Sequence, residues 1–123
     1  MKILVIEDNP QNMKLLTFVL KKYGHDVIEA FCGLEGVEKA TDSHPELILM
    51  DIQLPDIDGL EATKRIRAKE SVQKIPIMAI TSYAMAGDRE KVMEAGCNGY
   101  FEKPINPLTI MKDIEKVLRE RNP

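Results

Sequence analysis

Four apolar stretches of this sequence run into groups that could handle a phosphate or a divalent cation. Lys2-Ile3-Leu4-Val5-Ile6 runs into Glu7-Asp8, and Leu47-Ile48-Leu49-Met50 into Asp51. Ile77-Met78-Ala79-Ile80 runs into Thr81, and Gly99-Tyr100-Phe101-Glu102 into Lys103. Three carboxylates brought together repel one another, so they must hold protons at raised pKa or bind a cation. Oxygen-only ligands suit a hard divalent ion, and an open site with few protein ligands suits Mg²⁺, with Mn²⁺ as a substitute. Lys103 adds a movable positive charge and Thr81 a hydroxyl donor. Such a set can stabilise a phosphoryl group in transfer. Asp51 would be the nucleophile, since carboxylates accept phosphoryl groups covalently.

Taken singly, each residue has a plainer use. Acids after strands are often helix caps or solvated loop groups, which suits Asp58 and Asp56. Asp8 fits that use less well, because Asn9 already stands where a cap is needed. A lone Thr81 is more often a turn residue, and a lone Lys103 is usually solvated. Tyr100 by itself reads as a half-exposed strand aromatic, and His25 and His44 as surface residues. The signal lies in the combination, one group at each successive strand end.

The strands must therefore end side by side. Continuous apolar runs bounded by turn residues predict strands buried on both faces at Lys2–Ile6, Leu47–Asp51 and Ile77–Ile80. Asp26–Ala30 alternates more and reads as a strand nearer the sheet edge, and Gly99–Glu102 is the fifth strand. Helical spacing links them. Asn9-Pro10 opens a helix that buries Met13, Leu16, Val19 and Leu20 and stops at Tyr23-Gly24. The next runs from Gly33 to about Asp42 with Leu34, Val37 and Ala40 inward. Asp58-Gly59-Leu60-Glu61 has the form of a capping box and opens a helix to about Lys69. Met85 to Ala95 is a short, poorly amphipathic helix, predicted to be the least stable. Asn106-Pro107 opens the last, with Leu108, Met111, Ile114, Val117 and Leu118 inward. Five β-α repeats with short loops imply an α/β, doubly wound (βα)5 fold of the flavodoxin-like type. The five-stranded parallel sheet would have order 2-1-3-4-5, and its ligand site would lie at the carboxyl ends beside the switch between the first and third strands.

Composition narrows the classes. The 123 residues make one domain of ordinary size, residues 1–123, with no linker or second domain in view. A net charge of −3 gives no reason to expect DNA as a direct partner. No apolar run approaches the ~20 residues of a membrane span, and nothing at the start resembles a signal peptide. Cys32 and Cys97 form no metal or redox spacing and read as free thiols of a cytoplasmic protein.

The motifs together resemble the receiver domain of two-component response regulators, over essentially the whole chain. They are Val5-Ile6-Glu7-Asp8-Asn9, Leu49-Met50-Asp51-Ile52-Gln53-Leu54-Pro55 with Gly59, Ala79-Ile80-Thr81, and Tyr100-Phe101-Glu102-Lys103-Pro104. Met50–Pro55 and Glu7-Asp8-Asn9 are most similar to single-domain regulators of the DivK type and to receivers attached to hybrid kinases. The resemblance implies Asp51 as phosphoacceptor and Asp8 as a direct Mg²⁺ ligand, with Glu7 acting largely through water. Asp51 and the backbone carbonyl of Gln53 would complete the protein ligands. It implies that Thr81 and Lys103 stabilise the phosphoryl group, that Tyr100 is the aromatic switch residue, and that the Lys103–Pro104 peptide is cis. Ser82 follows Thr81 where Ala is commoner, and Gln53 and Tyr83 flank the site at variable positions expected to tune hydrolysis. Implied partners are a histidine kinase or histidine phosphotransfer protein and a downstream protein target. The role is that of a signalling phosphoacceptor rather than an enzyme acting on other molecules.

Two rivals remain from the residues alone. A Mg²⁺-dependent phosphatase using an aspartyl intermediate would need a second acid near the nucleophile, and Gln53 stands where that acid might be. A flavodoxin would need a Ser-, Thr- and Gly-rich phosphate loop after the first strand, where Glu7-Asp8-Asn9-Pro10 stands instead.

Overall fold

The structure, a computed structural model, describes residues 1–82 and 88–121. Its elements are β1 (Lys2–Ile6), α1 (Pro10–Lys22), β2 (Asp26–Ala30), α2 (Gly33–Ser43) and β3 (Leu47–Asp51), followed by α3 (Gly59–Arg67), β4 (Ile77–Thr81), α4 (Asp88–Glu94), β5 (Gly99–Glu102) and α5 (Ile110–Arg121). All strand pairs are parallel, and the sheet order is β2-β1-β3-β4-β5. Strand side chains alternate between faces. Ile3, Val5, Leu47, Leu49, Met78 and Ile80 pack under α1 and α5. The intervening Leu4, Ile6, Ile48, Met50, Ile77 and Ala79 pack under α2, α3 and α4. Burial on both faces is why these strands read as unbroken apolar runs.

Local signals set the helix starts. Asn9 caps α1 by accepting from the amides of Gln11 (2.9 Å) and Asn12 (3.1 Å), with Pro10 in the first turn. Asp58 caps α3 through the Glu61 amide at 2.8 Å. In α2 the expected inward Leu34 is instead 49% exposed, and Gly33, Gly36, Val37 and Ala40 face inward. The helix lies so close to β1 that a Cβ on Gly36 would stand 2.4 Å from Ile6 Cδ1. Small residues therefore take the sheet face, and Leu34 is rotated outward. The last helix also differs from expectation. Asn106 accepts from the Leu108 amide at 2.9 Å, but residues 107–109 form a turn and α5 begins at Ile110. Leu108 is 81% exposed and is no part of the inner stripe. Of the predicted helix Met85–Ala95, the first three residues lie outside the described residues, and α4 covers Asp88–Glu94.

One side chain gathers the amino-terminal edge of the sheet. The Arg67 guanidinium, at the end of α3, donates to the carbonyls of Gly96 (3.0 and 2.8 Å), Gln73 (2.9 Å) and Ile75 (2.6 Å). It also donates to Asn98 Oδ1 at 2.8 Å, which in turn accepts from the Ile77 amide at 3.0 Å. No helix among the described residues is long and apolar enough to cross a membrane.

Candidate functional site

The carboxyl ends of β1, β3, β4 and β5 converge. β3 is flanked by β1 and β4, so Asp51 stands at the centre, and it is only 3% exposed. Glu7, just past β1, is equally buried, whereas Asp8 is exposed. One ligating oxygen from each of Glu7, Asp8 and Asp51 can be chosen so that all lie within 4.8 Å of one another. Lys103, just past β5, reaches between them: its ammonium lies 2.9 Å from Glu7 Oε1 and 3.0 Å from Asp51 Oδ2. Partial burial disfavours the Lys103 charge. Its hydrogen bonds to Glu7 and Asp51 outweigh that and hold the ammonium above its ordinary pKa.

The remaining oxygens are engaged by backbone. The Gln53 amide donates to Asp51 Oδ1 at 3.0 Å, and the Asn9 amide to Glu7 Oε2 at 3.3 Å. This close wrapping of chain around Asp51 depends on Gly59, where a Cβ would stand 2.6 Å from the Asp51 carbonyl oxygen. Clustered hard oxygen donors, one of them open to solvent, fit a divalent ion such as Mg²⁺. The ammonium already held there shows that the pocket is built for positive charge.

Thr81 and Tyr100 belong to the other face of the sheet. Thr81 continues the alternation of Ile77 and Ala79 and is 4% exposed. Its carbonyl accepts from the Lys103 amide at 2.8 Å, tying the ends of β4 and β5. Tyr100 is half-buried against the cluster beneath α2, α3 and α4. Thr81 and Tyr100 line a half-open cavity of about 150 Å³ together with Ile52, Gln53, Leu60 and Val92. Ser82 Oγ donates to Gln53 Oε1 at 3.1 Å, a bond across the mouth of the site. The Lys103–Pro104 peptide is cis. Tyr83 lies outside the described residues.

The geometry thus brings together Glu7, Asp8, Asp51 and Lys103 and sets Gln53 and Asn9 against the carboxylates, while Thr81 and Tyr100 line a neighbouring cavity on the other face of the sheet. Asp56 takes the capping role expected of acids after strands, but for a helix that precedes it in the chain: its carboxylate accepts from the amides of Gly33 and Leu34, both at 2.8 Å, at the start of α2. The missing side-chain cap at Cys32 was the available signal. Nothing in the sequence pointed to Arg67.

Residues 3–115 match the family model of the response regulator receiver domain. The chain belongs to that family. Among curated relatives, the receiver is 40% identical over 116 residues to the polar-differentiation response regulator DivK of Brucella ovis, covering 94% of each chain. The protein of that name from Brucella anthropi is 39% identical over the same share. Among solved structures, a chemotaxis response regulator of Vibrio cholerae superposes with TM-score 0.89 at 26% identity, covering 94% of this receiver and 97% of that chain. The receiver domain of a sensor histidine kinase from Pseudomonas aeruginosa, with a magnesium ion coordinated in its active-site cleft, has TM-score 0.86 at 36% identity, covering 94% of each. This chain is therefore a receiver of two-component signalling, similar to DivK and to the chemotaxis regulators in fold, with an acidic cluster compatible with Mg²⁺.

Proposed function

We propose that Asp51 accepts a phosphoryl group from a histidine kinase or a histidine phosphotransfer protein, and that the receiver signals the modification through protein contacts. The observation that carries this reading is the Asp51 carboxylate itself. It is buried at the end of the central strand, with an ammonium 3.0 Å away and two further carboxylates beside it. Glu7, Asp8, Asp51 and the backbone carbonyl of Gln53 would hold Mg²⁺. The ion recorded in the Pseudomonas receiver supports that choice. When bound, Mg²⁺ supplies charge neutralisation for the phosphoryl oxygens.

The geometry supports a part for the protein's own groups. An Asp51 oxygen attacks phosphorus; the P–N bond of the phosphohistidine breaks, and its electron pair returns to the imidazole ring. The Gln53 amide orients the carboxylate. Lys103, already hydrogen-bonded to Asp51, transfers its donor bond to the new phosphoryl oxygens. Thr81 is drawn toward the added charge, and Tyr100 moves into the cavity that both line. A local charge change thereby biases the surface of α4, β5 and α5. The mildly acidic chain gives a DNA backbone little to attract it, so a protein target reads that surface.

The test is intact-mass spectrometry after incubation with Mg²⁺ and acetyl phosphate. One phosphoryl adduct is expected, absent in Asp51→Asn and absent in EDTA. An unmodified wild type under conditions that label other receivers, or an adduct that survives Asp51→Asn, overturns the assignment.

A further inference from the structure

The loop between β3 and α3 carries Gln53, whose amide holds Asp51 and whose carbonyl is proposed as a metal ligand. Its two ends are fixed by backbone. The Ile52 amide donates to the Ile80 carbonyl at 3.1 Å, and the Gly59 amide to the Ile52 carbonyl at 2.8 Å. Asp58 anchors the far end by capping α3. The middle of the loop runs over the surface, and there Asp56 ties it to a different element.

That tie replaces a local device. The first amides of a helix lack intrahelical acceptors. Cys32, at the cap position of α2, makes no side-chain cap hydrogen bond. Asp56 supplies both of its oxygens instead, Oδ1 to Gly33 and Oδ2 to Leu34, each at 2.8 Å. A carboxylate is favoured there by the positive end of the helix dipole. Contact between loop and helix is close enough that a Cβ on Gly33 would stand 2.5 Å from Ile57 Cγ1 and 2.8 Å from the Ile57 carbonyl oxygen. The bidentate bond and the bare Gly33 backbone are two independent features that press the same loop onto α2.

We infer that Asp56 is a positioning residue for the Asp51 site. By clamping the β3–α3 loop to the start of α2, it holds the Gln53 backbone in register with the Asp51 carboxylate. The metal part of this inference rests on the reading of the site proposed above. The effect on Gln53 does not. Asp56 touches neither the metal position nor the phosphoryl group; it acts through the loop.

The experiment measures Mg²⁺ binding to the unphosphorylated full chain by calorimetry, and solvent exchange of the Gln53 amide by NMR without metal. Asp56→Ala is expected to weaken Mg²⁺ binding about tenfold, the scale of lost support behind a metal ligand, and Asp56→Asn, which keeps one acceptor oxygen, by less. Gly33→Ala, with Asp56 intact, should weaken it in the same direction. Gln53 amide exchange should quicken in the same order. The control is Glu35→Ala, which removes the bond from the Phe31 amide to Glu35 Oε1 at the same end of α2. It should lower thermal stability without moving either readout. Wild-type Mg²⁺ affinity and Gln53 exchange in Asp56→Ala would overturn the inference, as would equal losses in Glu35→Ala. A wild type that binds no Mg²⁺ would overturn the metal assignment instead, and Gln53 exchange would still decide the role of Asp56. Should Asp56→Ala fail to fold, Asp56→Asn and Gly33→Ala carry the same comparison.

Discussion

Lys103 bridges two buried carboxylates that a divalent ion would also use. Removing one partner of a buried charge cluster leaves the others uncompensated. Lys103→Ala should therefore lose about 3 kcal/mol of stability in EDTA, and saturating Mg²⁺ should restore part of it. Urea midpoints in the two buffers measure this, and equal losses in both would show that ion and ammonium do not share the pocket. The same variant should still take phosphate on Asp51 to some degree, with its conformational response impaired. Asp56 makes a pH-dependent contribution. The amides of Leu34 and Gly33 hold its carboxyl well below the usual carboxylate range. A depressed folded-state pKa contributes stability that is present above the ordinary value of 3.8 and lost as pH falls below it. Wild type should thus exceed Asp56→Asn in urea midpoint near neutrality. The gap should narrow below about pH 4, and a constant gap would show that the carboxylate charge is not what α2 uses.

Among the elements, α3 offers the sharpest test because two principles disagree about it. Helix propensity alone says that Gly59→Ala gains about 1 kcal/mol. The Asp51 carbonyl oxygen and Ile52 Cα, 2.6 and 2.8 Å from an added Cβ, say the opposite. Backbone atoms cannot swing aside as side-chain tips can, so the clash wins, with a loss of about 2 kcal/mol. Thermal unfolding gives the sign directly. Strands were legible because burial on both faces leaves an unbroken apolar run, as at Leu47–Met50. Helix ends were legible where the cap is local, as at Asn9 and Asp58. Two other expectations failed. Asn106-Pro107 repeats the Asn9-Pro10 signature, yet a turn intervenes before α5. Leu34 has the spacing of a core residue, but the approach of Gly36 to Ile6 turns it outward.

Over the whole molecule, the residues around Asp51 were readable because each lies directly after a strand, and parallel strands carry such groups to one rim. Asp56 and Arg67 were not, since Asp56 reaches amides 22 and 23 residues away and Arg67 joins Gly96 and Asn98, 29 and 31 residues away, and neither spacing follows a pattern in the sequence. The two cysteines report on the packing between these rims. Burial pushes the Cys97 thiol pKa up, and it lies 5% exposed beside Thr63, whereas Cys32 is half-exposed. An aromatic disulfide reagent should consume one thiol quickly in the native protein and two in denaturant, and rapid reaction of both in the native state would show the Cys97 layer to be loose. Arg67, finally, cross-links the rim opposite Asp51, joining the end of α3 to the segments that lead into β4 and β5. The scaffold is thus fastened at the end away from the acidic cluster as well. Arg67→Ala, which cuts those ties, should therefore lower thermal stability without removing any group that touches Asp51.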